Sequence, residues 1–397
     1  MVGFVEAMVV GTFIVSEVVL IASSSFHYFY SFVSLLTKPV SRSFSHNHPK
    51  VSIHIPVYNE GDVVRHSIEA ALALDWPKAK KEIIVVDDSD DKTSDIVAEY
   101  PVIHVKRKKR KGFKAGALNE ALKRSSGEFI AVFDADFEPE KSFLKKTVAA
   151  FDENTAVIQG KWKYRNENES WIAKVASMMC DAFYEVVMKY RASVNTVIFS
   201  GSGGVLRKKA IEDVGGWNEK SISEDLDLSI RMLCDGWDIY FLPDALSTGE
   251  APTTLSAFAK QQSRWSFGTS EVAIKHMKSI VKSEKLAMMQ KIDLISSSLG
   301  FFVTPIIVLL YLTGFLNSIV RWLDLEAIFW ITITLATLGY FFELATASVK
   351  SKKKRNLVYM PVVFFVLAVL NFPLAKGVLD AVLGKKREFE VTPKGEL

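Results

Sequence analysis

Cysteine is nearly absent from this chain. Cys180 and Cys234 are the only two among 397 residues, and they lie far apart. That excludes a disulfide framework and a short-spaced zinc site, and it fits a reducing compartment. A surplus of one charge is lacking too. Lys and Arg number 49 against 45 Asp and Glu, a net charge of +4. So small an excess, clustered beside apolar segments, gives no reason to invoke nucleic acid. No internal repeat is visible. Charge itself is missing from long stretches. Residues 294–320 and 357–375 carry no Asp, Glu, Lys or Arg, residues 8–36 only Glu17, and residues 327–349 only Glu343.

A membrane helix needs roughly 20 apolar residues, so each stretch is long enough or nearly so. Residues 8–36 are too long for a signal-peptide core and lack a basic start, which reads as a retained span. Orientation follows the basic flanks. Lys38 and Arg42 follow the first stretch, Lys278, Lys282, Lys285 and Lys291 precede the second, and Lys350 to Arg355 follow the third. These flanks put the central region in the cytoplasm. Lys385, Lys386 and Arg387 should be inside as well, yet three plain spans after residue 291 would leave them outside. Either residues 357–383 re-enter without crossing, or one segment is not a span.

Between the apolar ends the pattern is that of a folded α/β domain. Residues 51–57, 83–88, 102–105 and 129–136 read as buried strands. Helical spacing occupies residues 63–74, the stretch from Ser94, and residues 115–125. This alternation predicts a mostly parallel sheet with helices on both faces and a ligand beyond the carboxyl ends of its strands. The expected divisions are an N-terminal span (1–37), a cytoplasmic domain (38–255), amphipathic interface helices (256–291), a C-terminal membrane region (292–384) and a cytoplasmic tail (385–397). The basic run 106–111 reads as a solvated loop.

Asp134 and Asp136 end the fourth strand, and alternation puts both carboxylates on one side. Paired hard oxygens suit Mg²⁺ or Mn²⁺ shared with a diphosphate. Asp87 and Asp88 end the second strand. There a carboxylate can accept from a base or ribose, or serve only as a turn and cap residue. Lys114 opens a helix whose small residues and positive end favour phosphate. In 261–265, Arg264 can grip a phosphate and Trp265 offers a flat face to a sugar ring; a Trp–Arg pair is also a common membrane-interface anchor.

These segments resemble the family 2 glycosyltransferases with the GT-A (Rossmann-like) fold, and within them the cellulose-synthase and mannan-synthase-like membrane enzymes. The resemblance rests on Ile55-Pro-Val-Tyr-Asn-Glu60, Asp87-Asp88, Gly112-Phe-Lys-Ala-Gly-Ala-Leu118, Phe133-Asp-Ala-Asp-Phe137, Phe199-Ser-Gly-Ser202, Gly215-Gly-Trp217, Ser223-Glu-Asp225 and Gln261-Gln-Ser-Arg-Trp265. It implies that Val57, Tyr58, Asp87, Asp88 and Lys114 hold the nucleotide. Asp134 and Asp136 would bind diphosphate and metal, with Asp136 the direct ligand. Asp225, otherwise an ordinary helix-start carboxylate, becomes the base that an inverting transfer needs. Gln261 and Arg264 would contact diphosphate, Trp265 would lie under the acceptor sugar, and Phe199, Ser200, Gly201 and Ser202 would line the acceptor end. Residues 389–394 fit the family's Phe-x-Val-Thr-x-Lys gating loop, with Thr392 and Lys394 reaching phosphate.

The resemblance therefore implies an integral-membrane hexosyltransferase that moves sugar from a GDP- or UDP-hexose onto a growing β-glycan. Ser223, where relatives commonly have Thr, is a mild departure, as is the lack of the cellulose-synthase cysteine in 199–202; the small number of spans puts a translocating channel in doubt. One alternative is a single-transfer enzyme acting on a lipid, of ceramide or polyprenyl-phosphate type. Another is an inactive membrane scaffold.

Overall fold

The computed structural model describes residues 2–37, 48–320 and 326–387. The domain is built on one eight-stranded sheet. Its first half holds β1 (Val51–Val57), β2 (Lys81–Asp87), β3 (Ile103–Lys106) and β4 (Phe129–Val132), in the order β3-β2-β1-β4 and all parallel. The crossovers are α2 (Val64–Leu72), α3 (Thr93–Ala98) and α4 (Phe113–Arg124).

The second half keeps the sheet mostly parallel, as expected, and adds two antiparallel strands. Beyond β4 lie β7 (Gly204–Arg207), β6 (Thr155–Tyr164), β8 (Asp238–Gly249) and the short β5 (Glu138–Pro139). β6 runs parallel to β8, while β7 runs antiparallel to both β4 and β6, and β5 runs antiparallel to β8. Between β6 and β7 the chain passes through α6 (Trp171–Ala182) and α7 (Met188–Ser193). Helices α5 (Phe143–Val148), α8 (Lys208–Asp213) and α9 (Glu224–Asp235) complete the layers.

Both faces of the sheet are covered, so the strands read as apolar runs. β4 shows this most clearly. Phe129, Ala131 and the following Phe133 join one core with Ile53, Ile55 and Phe143. Ile130 and Val132 join the opposite core with Tyr184, Leu206 and Leu228.

The apolar ends form a separate layer. α1 (Val2–Leu36) packs against α12 (Val303–Val320) and α13 (Glu326–Lys350). Phe13 and Leu20 of α1 meet Leu310 of α12. Glu343 is buried and accepts from His27 at 2.6 Å across the α1–α13 contact; Glu17 is buried as well. Both acids face the helix bundle. The apolar run expected at 294–320 is broken. Its beginning belongs to α11 (Met288–Ser298), where Leu294 is buried against the domain and Asp293 accepts from Thr196 at 2.6 Å. A 3₁₀ turn at Gly300–Phe302 then bends the path by 41°.

The last helix, α14 (Met360–Val382), ends a helical stretch, 354–382, that is long and apolar enough to cross a membrane, as are Gly11–Leu36 and Ile331–Lys350. It lies lengthwise along α10 (Leu255–Lys282), with its first half in one apolar cluster with α6 and Phe258. Gly377 fits where a Cβ would crowd Ser263 and Ser266, and Ser266 donates to the Leu374 carbonyl. Just before α14, Lys353 pairs with Glu167 and Asp181 of the domain, at 2.6 and 3.0 Å. Just after it, Arg387 donates to Asp380 and Ser263. Both ends of α14 thus return to the same domain.

Candidate active site

A cleft opens at the carboxyl ends of β1, β2 and β4, as parallel strands dictate. It is an open cleft, walled by residues of β1, α4, α9 and α10.

Lys114 is its hub. Gly112 and Phe113 adopt φ of +69° and +47°, a sharp turn that starts α4 and throws Lys114 into the cleft. The Lys114 ammonium lies 2.6 Å from Asp134, 2.9 Å from the Gly201 carbonyl and 3.6 Å from Glu224. Burial alone would lower it, but the Asp134 and Glu224 carboxylates outweigh burial and hold it above its ordinary value.

Asp225 stands at the start of α9, on the far wall. A Cβ on Gly201 would come within 2.8 Å of its Oδ2, so the left-handed glycine at φ +82° makes room for the carboxylate. Burial raises the Asp225 carboxyl, and Lys114 tempers the rise. The adjacent Glu224 is buried and pushed up to about 7, by desolvation first and the Asp225 charge next, against the pull of Lys114. Asp136, which also lines the cleft, is buried, and its Oδ2 accepts from the Glu250 amide at 3.2 Å. Asp134, Asp136 and Asp225 line one continuous space, with Gln261, Arg264 and Trp265 of α10 beside them.

Val57, Tyr58 and Asp88 line the base of the cleft. Asp87 does not. Its carboxylate is fully buried and occupied by the Ser89 amide, Ser94 Oγ and His104 at 2.8, 2.5 and 3.0 Å. Burial would raise it, but these three donors hold it below its ordinary value. Asp88 receives Arg107 in a two-pronged pair. The segment 199–202 is divided likewise. Ser200 and Gly201 face the cleft, while Phe199 is core and Ser202 supports the Asp134 loop by accepting from its amide at 3.0 Å. Thr392 and Lys394 lie outside the described residues.

The basic run at 106–111 is not a merely solvated loop. Arg107 ties Asp88 to the Lys111 and Phe113 carbonyls. Arg110 places its guanidinium 3.5 Å over the Tyr58 ring inside the cleft. Sequence reasoning also missed Glu224, Glu250, Trp162 and Tyr164 as wall residues. The strand pattern could have signalled the last two, since alternation on one strand puts residues 162 and 164 on one face.

Among the described residues no three His, Cys, Asp or Glu gather as a self-sufficient metal cage. Asp134 and Asp136 supply hard oxygens for a cation whose remaining ligands come from a diphosphate and water. The Lys114 ammonium against Asp134 shows that this point attracts positive charge. The donor set therefore fits a shared divalent ion.

Two family models cover nearly all of this architecture, Glycosyl transferase family 2 over residues 52–215 and Cellulose synthase over residues 210–396. The chain belongs to glycosyltransferase family 2, in its cellulose-synthase-like branch. Among its relatives, glucomannan 4-beta-mannosyltransferase 2 of Arabidopsis thaliana is 36% identical over 279 residues, which cover 66% of this chain and 52% of that protein. Probable glucomannan 4-beta-mannosyltransferase 14 of the same plant is 33% identical over 326 residues, 76% of this chain and 61% of that protein. The chain thus spans about half the length of the first curated relatives it matches. A mannosyltransferase of Pyrobaculum calidifontis, solved with GDP-Man and Mn²⁺, shares the fold. It has a TM-score of 0.66 at 17% identity and covers 95% of this chain and 100% of that one.

Proposed function

We propose that the chain is an inverting hexosyltransferase of the membrane that moves mannose, or a closely related hexose, from a GDP-linked donor onto the hydroxyl of a growing β-glycan. One observation carries the reading: Asp136 and Asp225 line one cleft, together with Lys114, which pairs there with Asp134. The names of the relatives favour mannose and a glycan acceptor over the lipid acceptor.

In this reading Tyr58, Val57 and Asp88 receive the nucleoside, and Lys114, Gln261 and Arg264 the diphosphate. Asp134 and Asp136 would hold a divalent cation, which when bound neutralises charge on the departing nucleotide. Trp265 carries the acceptor sugar and holds its hydroxyl toward the anomeric carbon. Asp225 takes the hydroxyl proton as the new C–O bond forms and the bond to the diphosphate oxygen breaks. Asp87 and Ser202 act only by support. The test is a panel of labelled GDP- and UDP-hexoses given to the purified full chain in nanodiscs. GDP-mannose should yield β-linked product longer than one added sugar. Transfer of one sugar to lipid, or from UDP donors alone, would sink the reading.

The packing supports one membrane arrangement over the others. Helices α1, α12 and α13 cross, while α14 stays beside α10 at the interface. The domain, the 350–355 loop and the 385–387 segment then share one side, as the basic residues require. This removes the fourth crossing from the C-terminal membrane region and otherwise keeps the divisions 1–37, 38–255, 256–291, 292–384 and 385–397. Cysteines placed at Lys352 and Lys386, with Cys180 and Cys234 replaced, should react with an impermeant maleimide from the same face of sealed vesicles. Labelling from opposite faces would show that α14 crosses.

A further inference from the structure

We propose that Asp227 is a positioning residue for transfer, a buried carboxylate that fixes the spacing between the base Asp225 and the acceptor-holding helix α10. The inference rests on the roles given above to Asp225 and Trp265.

Two residues along an α-helix turn it by about 200°. Asp225 faces the cleft, so Asp227 faces away from it, into the packing behind α9. There it is fully buried and fully engaged. Its Oδ1 accepts from Asn218 Nδ2, Lys275 Nζ and His276 Nε2 at 2.9, 2.7 and 2.9 Å, and its Oδ2 from Arg231 Nε at 2.7 Å. Four donors thus reach one carboxylate, three of them on a single oxygen. The donors come from different places. Lys275 and His276 belong to α10, Asn218 to the turn after Trp217, and Arg231 to α9 itself. Arg231 continues to the Val214 and Gly216 carbonyls at 2.5 and 2.9 Å. The same turn is gripped by Asn119 of α4, which pairs with both the amide and the carbonyl of Trp217 at 2.9 Å. Asp227 therefore joins α9, α10 and the 217–218 turn directly, and α4, which carries Lys114, joins the same turn through Asn119.

The geometry makes α10 a lever. It presses on the residue before Glu224 at Gly268, where any Cβ would overlap Ser223 Oγ. Between Trp265 and His276 lie about 16 Å of helix. Loosening the His276 end lets α10 tilt about the Gly268 contact and moves the Trp265 ring against Asp225. A shift near 1 Å between reacting groups costs about a hundredfold in rate. Water, which needs no platform, is less affected than a sugar hydroxyl. A clamp that only stabilised the fold would lower every activity together.

The readout is the ratio of sugar transfer to donor hydrolysis, which does not depend on the folded fraction. The full chain in nanodiscs is given labelled GDP-mannose with a β-1,4-linked manno-oligosaccharide, and Asp227→Asn, Lys275→Met, His276→Ala and His276→Gln are compared. Asp227→Asn and His276→Ala should lower the ratio tenfold or more, with donor affinity within about threefold of wild type. His276→Gln, which keeps a donor, should recover most of it. Lys275→Met removes a half-exposed donor without opening the core, so it supplies the answer if Asp227→Asn does not fold, with a ratio lowered severalfold. Ratios unchanged across the series overturn the inference alone. No transfer by the wild-type chain overturns the function reading and the inference with it.

Discussion

Asp225→Asn should lower transfer by about three orders of magnitude while donor affinity stays within about threefold, the scale of a lost general base. The substitution keeps the shape of the side chain and an oxygen for the Leu226 amide, which now donates to Oδ1 at 2.8 Å. It removes only the capacity to take a proton. Donor binding rests on other residues, so equilibrium titration with GDP and turnover with GDP-mannose should part company. Turnover within tenfold of wild type would assign the base elsewhere, first to Glu224.

The acid limb of the rate profile carries the same information. Burial raises the Asp225 carboxyl above its ordinary range. The base works when ionised, so the rate should fall as pH drops through that raised value, above the pH at which an exposed aspartate titrates. Lys114 opposes the rise, so Lys114→Met should move the acid limb to still higher pH. Movement in the other direction would contradict the electrostatics of the cleft.

Asp136→Asn should lower metal-stimulated turnover by about a thousandfold, roughly 4 kcal/mol in the barrier. Asn retains an acceptor for the Glu250 amide, so the wall should stand. The loss should appear earlier in titrations of Mn²⁺ in the presence of GDP, where saturation moves to much higher metal concentration. Asp134→Asn should have a milder effect, because its carboxylate is more exposed and already shares its charge with Lys114. Wild-type Mn²⁺ dependence in Asp136→Asn would remove the carboxylate pair from the ion.

Much of the domain was legible in the sequence because buried parallel strands are apolar on both faces. The runs at 51–57, 83–88 and 129–136 could be little else, and their ends marked Asp88, Asp134 and Asp136 as cleft residues. What remained hidden depends on direction and distance. Asp87 and Asp88 are equivalent in composition. Only the pleat turns one into the core beside Ser94 and His104 and the other toward Arg107. The antiparallel β7 could not be read, since a four-residue apolar strand carries no sign of its orientation. Arg110 was lost among basic neighbours because charge runs are usually solvated, and only its approach to Tyr58 distinguishes it. Length and composition made α14 resemble a span. Its buried side is recognised only in the company of α6 and α10.

That last helix has a consequence for reach. Arg387 is pinned at 3.2 Å to Ser263, one position before Arg264, so whatever follows it is tethered at the doorstep of the cleft. Extended chain advances at most about 3.6 Å per residue, and the short stretch to Thr392 spans roughly 18 Å. A helix that crossed to the far leaflet would have carried the same residues a bilayer's thickness away. With α14 beside α10, as proposed above, position 392 would stay within that reach of Ser263 and of the cleft next to it.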